Sequence, residues 1–289
     1  ASEATFVSPG TYDGLSVRLI EQMGFKTAST TGAGLSNSRL CLPDVGIMGL
    51  SENVEACRQI AGSVDIPIMA DADTGYGNPV SVFHTVKRFE DAGVAGINIE
   101  DQVSPKRCGH MSGKDVIDAR EMAKKIEAAC EARSDDDFII VARTDAIAVD
   151  GFEAAIQRAK LYAAAGADMV FPDAIKGEEQ IKKFVGEVPV PVSVNMGFGI
   201  RSRPTTPLIS VKRLTELGVK RVSLPRMLPA AAIKGMQEAL KVMLESISSG
   251  DVMDRPDLVV SIGDIWELMG QPAIAEMEQR YMVSADASD

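Results

Sequence analysis

Two hydrophobic rhythms alternate along this chain. Short apolar runs rich in β-branched residues are followed by longer stretches whose apolar positions recur every three or four residues. The short runs, at 6–8, 26–31, 66–70, 96–99, 138–142, 169–171, 191–194 and 221–224, read as strands. The longer stretches, at 15–23, 52–60, 80–91, 119–132, 152–165, 178–185, 211–217 and 229–247, read as helices. Ser51 and Asp118 stand where N-caps belong, and Gly93, Gly166 and Gly218 follow helical runs that need a left-handed stop. The first strand is expected to stop at Pro9-Gly10. Two further helices, at 262–269 and 273–281, follow a polar linker at 248–256.

Eight strands alternating with helices predict an α/β protein built as a (β/α)8 TIM-type barrel with extra C-terminal helices. A doubly wound sheet would want a glycine-rich phosphate turn after the first strand, and Pro9-Gly10-Thr11-Tyr12 is not one. The expected division is a catalytic barrel over 1–250 and a helical extension over 251–289. Ile262, Ile265, Trp266 and Met269 give that extension an apolar face at helical spacing. It is expected to pack on a neighbouring subunit.

The placement of polar residues sharpens the picture. Asp71, Asp73, Glu100, Arg143, Asp173 and Asn195 each stand at or just past the C-terminal end of a strand. In a barrel those ends share one face, where active sites form. Asp71 and Asp73, with Glu100 and Asp101 from the next strand, would repel one another unless a cation sat among them. An oxygen-only set suits Mg²⁺, or Mn²⁺; the competing reading is a set of helix-capping acids. After Glu100 comes a loop in which Cys108 sits beside Lys106, Arg107 and His110. Cations beside a thiol favour the thiolate, so Cys108 is a candidate acid/base group or nucleophile. The plain alternative is a solvated basic loop. Gly32-Ala33-Gly34 would let backbone approach a ligand closely.

Composition removes several classes. The net charge of −11 argues against nucleic acid. No run of 18 apolar residues suggests a membrane span, and residues 1–10 lack a signal-peptide pattern. Cys41, Cys57, Cys108 and Cys130 are scattered, as expected of reduced thiols in a cytoplasmic enzyme.

The segments Asp71-Ala-Asp-Thr-Gly-Tyr-Gly, Ile99-Glu-Asp-Gln-Val, Pro105-Lys-Arg-Cys-Gly-His and Ala142-Arg-Thr-Asp-Ala, in this order and spacing, resemble the isocitrate lyase/phosphoenolpyruvate mutase superfamily. Pro9-Gly-Thr-Tyr-Asp-Gly-Leu-Ser and Leu42-Pro-Asp-Val-Gly extend the likeness. Lys-Arg-Cys-Gly-His is similar to the branch of 2-methylisocitrate lyases, 2,3-dimethylmalate lyases and oxaloacetate hydrolases. The resemblance implies a Mg²⁺-dependent carbon–carbon lyase acting on a small di- or tricarboxylate. It also implies a homotetramer, a dimer of dimers with a swapped C-terminal helix. It places the metal on Asp71 and Asp73, with Asp44 and Glu100 nearby. It implies that Thr31, Gly32 and Ala33 bind the oxo- or hydroxy-acid end and that Arg143 pairs with it. Cys108 matches the catalytic cysteine of a closing loop that also holds Gly109 and His110, and Asn195 matches a substrate-binding asparagine. Tyr12 or a metal-bound group would take the hydroxyl proton.

Two departures bear on the substrate. Asp173 stands where this branch usually has Glu, one methylene longer, so its contact is expected to be weaker or water-bridged. The run Met196-Gly-Phe-Gly-Ile-Arg-Ser-Arg-Pro-Thr-Thr-Pro207 lacks an expected Glu and adds Arg201 and Arg203 near the distal carboxylate end. Oxaloacetate hydrolysis is the alternative reaction, and phosphonate chemistry a weaker one because those enzymes lack the cysteine.

Overall fold

The computed structural model describes residues 5–109, 111, 113–197 and 206–282. Eight strands form one parallel sheet: β1 (Phe6–Thr11), β2 (Ala28–Thr30), β3 (Ile68–Asp71), β4 (Gly96–Glu100), β5 (Ile139–Thr144), β6 (Met169–Pro172), β7 (Ser193–Asn195) and β8 (Arg221–Leu224). β1 pairs with both β2 and β8, and a parallel bridge from Val170 to Val192 brings β6 against the start of β7. The sheet therefore returns on itself as the expected barrel.

Strand alternation sorts the side chains. Ile97, Ile99, Ile140 and Ala142 belong to the large core shared with the helices, which supply Val82, Val86, Phe89, Ile126 and Ile156. Val141 falls in a separate small cluster with Met69 and Phe171. Asn98 and Arg143, on the same alternate positions, line the cleft described below.

Three local expectations change. β1 runs through Pro9 and Gly10 to Thr11, with Pro9 in register with Leu224. Gly10 permits this: a Cβ there would lie 2.6 Å from the backbone of Pro225. Ser51 is not a cap. The helix Leu50–Ala61 is capped by Gly49, whose N–H donates to the Glu52 carboxylate at 2.8 Å, while Ser51 accepts from Arg88. Residues 32–40 form a helical turn, Gly32–Leu35, and a π-helical turn, Ser36–Leu40, where sequence periodicity shows neither.

The chain divides into two compact units, 1–229 and 230–289. The first holds all eight strands. The helix Met227–Ser249 carries the chain into the second, which adds Ile262–Leu268 and Gln271–Tyr281. None of the three helices has a buried residue, and Trp266 is 55% exposed. Among the described residues no helix is long and apolar enough to cross a membrane.

Candidate active site

The strand ends open into a cleft enclosing about 580 Å³ of space that is continuous with solvent. Thr31, Ala33, Asp44, Asp71, Cys108, Gly109, Arg143, Asp173 and Asn195 line it. Gly32 lies behind Asp71, donating its N–H to Oδ2 at 3.2 Å. Asp73 and Glu100 are buried beside the cleft rather than on its wall. Tyr12 packs against Gly34 and is not among the lining residues. Its hydroxyl is raised by burial and by Asp13. His110, Arg201 and Arg203 lie outside the described residues.

The loop after β3 holds the acids by backbone geometry. Asp71 donates its N–H to Thr30 Oγ1 at 2.9 Å, and Asn53 Nδ2 donates to the Asp71 carbonyl at 2.7 Å. The chain then turns with Asp73 at φ 47° and Gly75 at φ 83°, and the Asp73 N–H donates to Asp71 Oδ1 at 3.2 Å. At Gly75 a Cβ would also meet Val82 at 2.6 Å, so glycine is needed twice over.

Lys106 sits among these acids, with Nζ 2.5 Å from Asp44 Oδ1 and 2.8 Å from Asp73 Oδ1. Burial disfavours its charge, but Glu100, Asp73, Asp71 and Asp44 together hold its pKa well above the usual lysine value. Burial pushes the Asp73 carboxyl up to about 6 despite Lys106. Glu100 is raised well above the usual carboxylate range, again by burial and against Arg143. Among the described residues two buried carboxylate oxygens lack an aligned hydrogen bond: Glu100 Oε1 and Asp73 Oδ1, the latter meeting Lys106 as an ion pair. Among the described residues no three metal-binding side chains converge as a preformed cage. The donor set still fits a hard divalent cation, because carboxylates crowd together and Glu100 Oε1 is buried without a hydrogen-bond partner.

A second network joins the cysteine loop to β5 and β6. Arg143 lies 3.2 Å from Glu100, grips Asp145 with Nε at 2.8 Å and Nη2 at 3.0 Å, and reaches Asp173 at 3.6 Å. Lys114 bonds Asp145 at 2.7 Å, Asp173 at 3.1 Å and the Gly109 carbonyl at 3.0 Å. Burial alone would raise Asp145; Arg143 and Lys114 outweigh it and hold its carboxyl well below the usual range. The short Asp173 side chain thus meets two cations directly. Asp101 does not join the mouth. It is fully buried, accepting from Tyr162 Oη at 2.7 Å, Thr144 Oγ1 at 2.8 Å and Asp145 N–H at 2.9 Å. Adjacent residues at a strand end project to opposite sides, so Glu100 faces the site and Asp101 anchors the next turn.

Among the described residues, the cation bonded to the Cys108 sulfur comes from outside its loop. Lys106 is engaged with acids, and the Arg107 backbone is held by the Gln102 side chain. Instead Arg226 Nη2 donates to Cys108 Sγ at 2.7 Å from just beyond β8. Gly109 has no room for a side chain: a Cβ would lie 2.5 Å from Asp173 Oδ2. Asn195 Oδ1 accepts from Ser223 Oγ. Sequence reasoning missed Lys114, Asp145, Arg221 and Arg226. Arg226 and Asp145 carry the same strand-end signal as Arg143, whereas Lys114 comes from a loop with no periodic cue.

Comparison with known proteins shows the family and the fold. The sequence pattern of phosphoenolpyruvate phosphomutase matches residues 1–244. The 2,3-dimethylmalate lyase of Eubacterium barkeri is 38% identical over 275 residues, covering 95% of this chain and 93% of that protein. A solved structure of oxaloacetate acetylhydrolase with the inhibitor 3,3-difluorooxalacetate superposes with a TM-score of 0.90 at 32% identity, covering 98% of this chain and 94% of that one. A phosphonopyruvate hydrolase solved with oxalate and Mg²⁺ superposes with a TM-score of 0.85 at 30% identity, covering 97% and 95%.

Proposed function

The chain belongs to the phosphoenolpyruvate phosphomutase family, and on that footing we propose that it is a Mg²⁺-dependent carbon–carbon lyase. Its substrate is a 2-hydroxy acid of the substituted malate or methylisocitrate type, and one product is a 2-oxo acid such as pyruvate. The observation that carries this reading is the meeting, around one cleft, of Asp71, Cys108 and Arg143.

Asp71 would hold the metal most directly, with Asp73, Glu100 and Asp44 around it. When bound, Mg²⁺ supplies charge stabilisation for the substrate's hydroxyl and carboxylate oxygens. The backbone at Thr31, Gly32 and Ala33 orients the oxo-acid end, and Asn195 orients the substrate from β7. The substrate's hydroxyl proton would pass to a basic group at the metal end of the cleft, beside which Glu100 Oε1 is buried without a hydrogen-bond partner. The electrons of the O–H bond form the new carbonyl, and the C2–C3 bond breaks. Its pair goes to C3, delocalised into the carboxylate of the departing fragment. The Cys108 thiol then gives its proton to C3 as general acid. Arg226 steadies the sulfur, and Gly109 lets the loop close against Asp173 and Arg143.

Hydrolysis of oxaloacetate is the second reading, favoured by the oxaloacetate acetylhydrolase likeness. A product assay separates the two. 2-Methylisocitrate, 2,3-dimethylmalate, isocitrate, 2-methylmalate and oxaloacetate are each incubated with Mg²⁺ or EDTA. Metal-dependent 2-oxo acid from one of the hydroxy acids supports the lyase; oxalate from oxaloacetate supports the hydrolase; neither product from any of them refutes both.

The assembly we propose is a homotetramer. Ile262, Ile265, Trp266 and Met269 are all exposed in the single chain, an apolar helix face suited to a neighbouring subunit. Light scattering that returns a monomer would refute it.

A further inference from the structure

Arg143, the strand-end cation that the family resemblance pairs with the substrate's oxo- or hydroxy-acid end, is already committed. Its guanidinium meets Glu100, Asp145 and Asp173, and its face lies over Phe171. Its contacts leave little donor capacity for a substrate anion.

Arg221 is the opposite case. It opens β8, is 6% exposed, and lines the floor of the cleft together with Ser29, Asn98 and Ser223. Nη2 donates to Ser29 Oγ at 2.6 Å and Nη1 to Asn98 Oδ1 at 3.5 Å, both neutral acceptors. Nε is buried without a hydrogen-bond partner, and among the described residues no carboxylate forms an ion pair with this guanidinium. Burial lowers its pKa to about 10, against the opposing field of the Asp71 carboxylate in the same cleft. A buried charge is ordinarily paired, because desolvating it alone costs several kcal/mol. Arg221 also lines a second, largely apolar cavity at the opposite end of the barrel, with Phe6, Pro67, Met69 and Ile139. None of these carries an anion either.

We propose that Arg221 is a specificity-determining residue whose guanidinium receives a carboxylate of the substrate at the floor of the cleft. Asp71 acts on this guanidinium without forming an ion pair with it, and a carboxylate in direct contact then arrives with the ligand. The fork of the guanidinium suits a carboxylate in two-point contact, and Ser29 and Asn98 hold the fork in place. The proposal deepens the lyase reading by naming the group that selects an acid over a neutral analogue. The alternative role is a mere plug between the two cavities.

The test is calorimetric titration of the full-length chain with oxalate in the presence of Mg²⁺, alongside thermal melts. Arg221→Met keeps most of the bulk and removes the charge; Arg221→Lys keeps the charge and loses the fork. Oxalate is expected to bind Arg221→Met at least about tenfold more weakly than wild type, with Arg221→Lys between them. Ligand-free Arg221→Met is expected to melt no lower than wild type, since an unpaired buried charge has gone. Oxalate affinity within about twofold of wild type in Arg221→Met would overturn the proposal and leave a plug. If that variant does not fold, Arg221→Gln, which also removes the charge, decides by the same criterion. The readout needs no turnover: silence of wild type in the product assay refutes the lyase, whereas an unchanged oxalate affinity refutes only the role of Arg221.

Discussion

The two sides of the barrel mouth carry charge in different ways. From β3 to β6, the acids Asp71, Asp73, Glu100, Asp145 and Asp173 are interleaved with Lys106, Lys114 and Arg143, so most carboxylates have a cation within ion-pair reach. From β7 round to β2, the wall is Asn195, Ser223 and Ser29, with two guanidiniums, Arg221 and Arg226, that touch neutral oxygens and a sulfur. The acidic side holds itself in shape before any ligand arrives. The other side keeps positive charge in reserve. A metal belongs with the first and a substrate anion with the second, and Cys108 spans them, its loop tied to the acidic side through Lys114 and its sulfur to Arg226.

Removing the group that spans the two sides should have the largest effect on turnover. Cys108→Ser is expected to lower product release by about 10²–10⁴, the range for loss of a positioned proton donor. Its melting temperature should stay within a few degrees. Equal loss of stability and activity would mean that the cysteine is only packed there.

The acidic side is tested next by breaking its internal pairing. Arg143→Gln leaves Glu100 and Asp145 buried without their main cation. Urea unfolding should show a loss of about 3–5 kcal/mol, as when one partner of a buried pair is removed. Stability unchanged by this substitution would break the comparison, because that side would then not be self-held. Gly109→Ala should cost less, about 1–3 kcal/mol. It should also slow turnover, because its Cβ would press on Asp173 and Arg143.

The smallest effect is on pH. Burial brings the Asp73 carboxyl to about 6, so below that value it carries a proton. A metal competes with that proton, so apparent Mg²⁺ affinity should rise as pH rises through about 6, and level off above it. A titration showing Mg²⁺ affinity falling across this interval would give the opposite sign and exclude Asp73 from the metal's surroundings.

Much of the barrel is legible in the sequence because strand and helix periods differ and because polar residues gather at strand ends. That rule finds Asp71, Arg143, Asp173 and Asn195 on the cleft wall and Glu100 buried beside it. It fails at Asp101, since sequence adjacency hides the alternation that turns this acid away from Glu100. It fails at Cys108 too, where Lys106 is engaged with Asp44 and Asp73 and Arg226 reaches the sulfur from 118 positions further on. Arg221 looks in sequence like an ordinary strand opening. Its meaning depends on which face of β8 points into the barrel and on what meets it there.

The account is tested most directly by running the cleavage in D₂O with the hydroxy acid that the product assay identifies, wild type beside Cys108→Ser, and following both fragments by NMR. It predicts one solvent deuterium at the former C3 of the departing fragment in wild type, with product formation falling by about 10² or more in the variant. Cys108→Ser releasing deuterated fragment at the wild-type rate would contradict it, because the proton would then reach the carbanion without the cysteine.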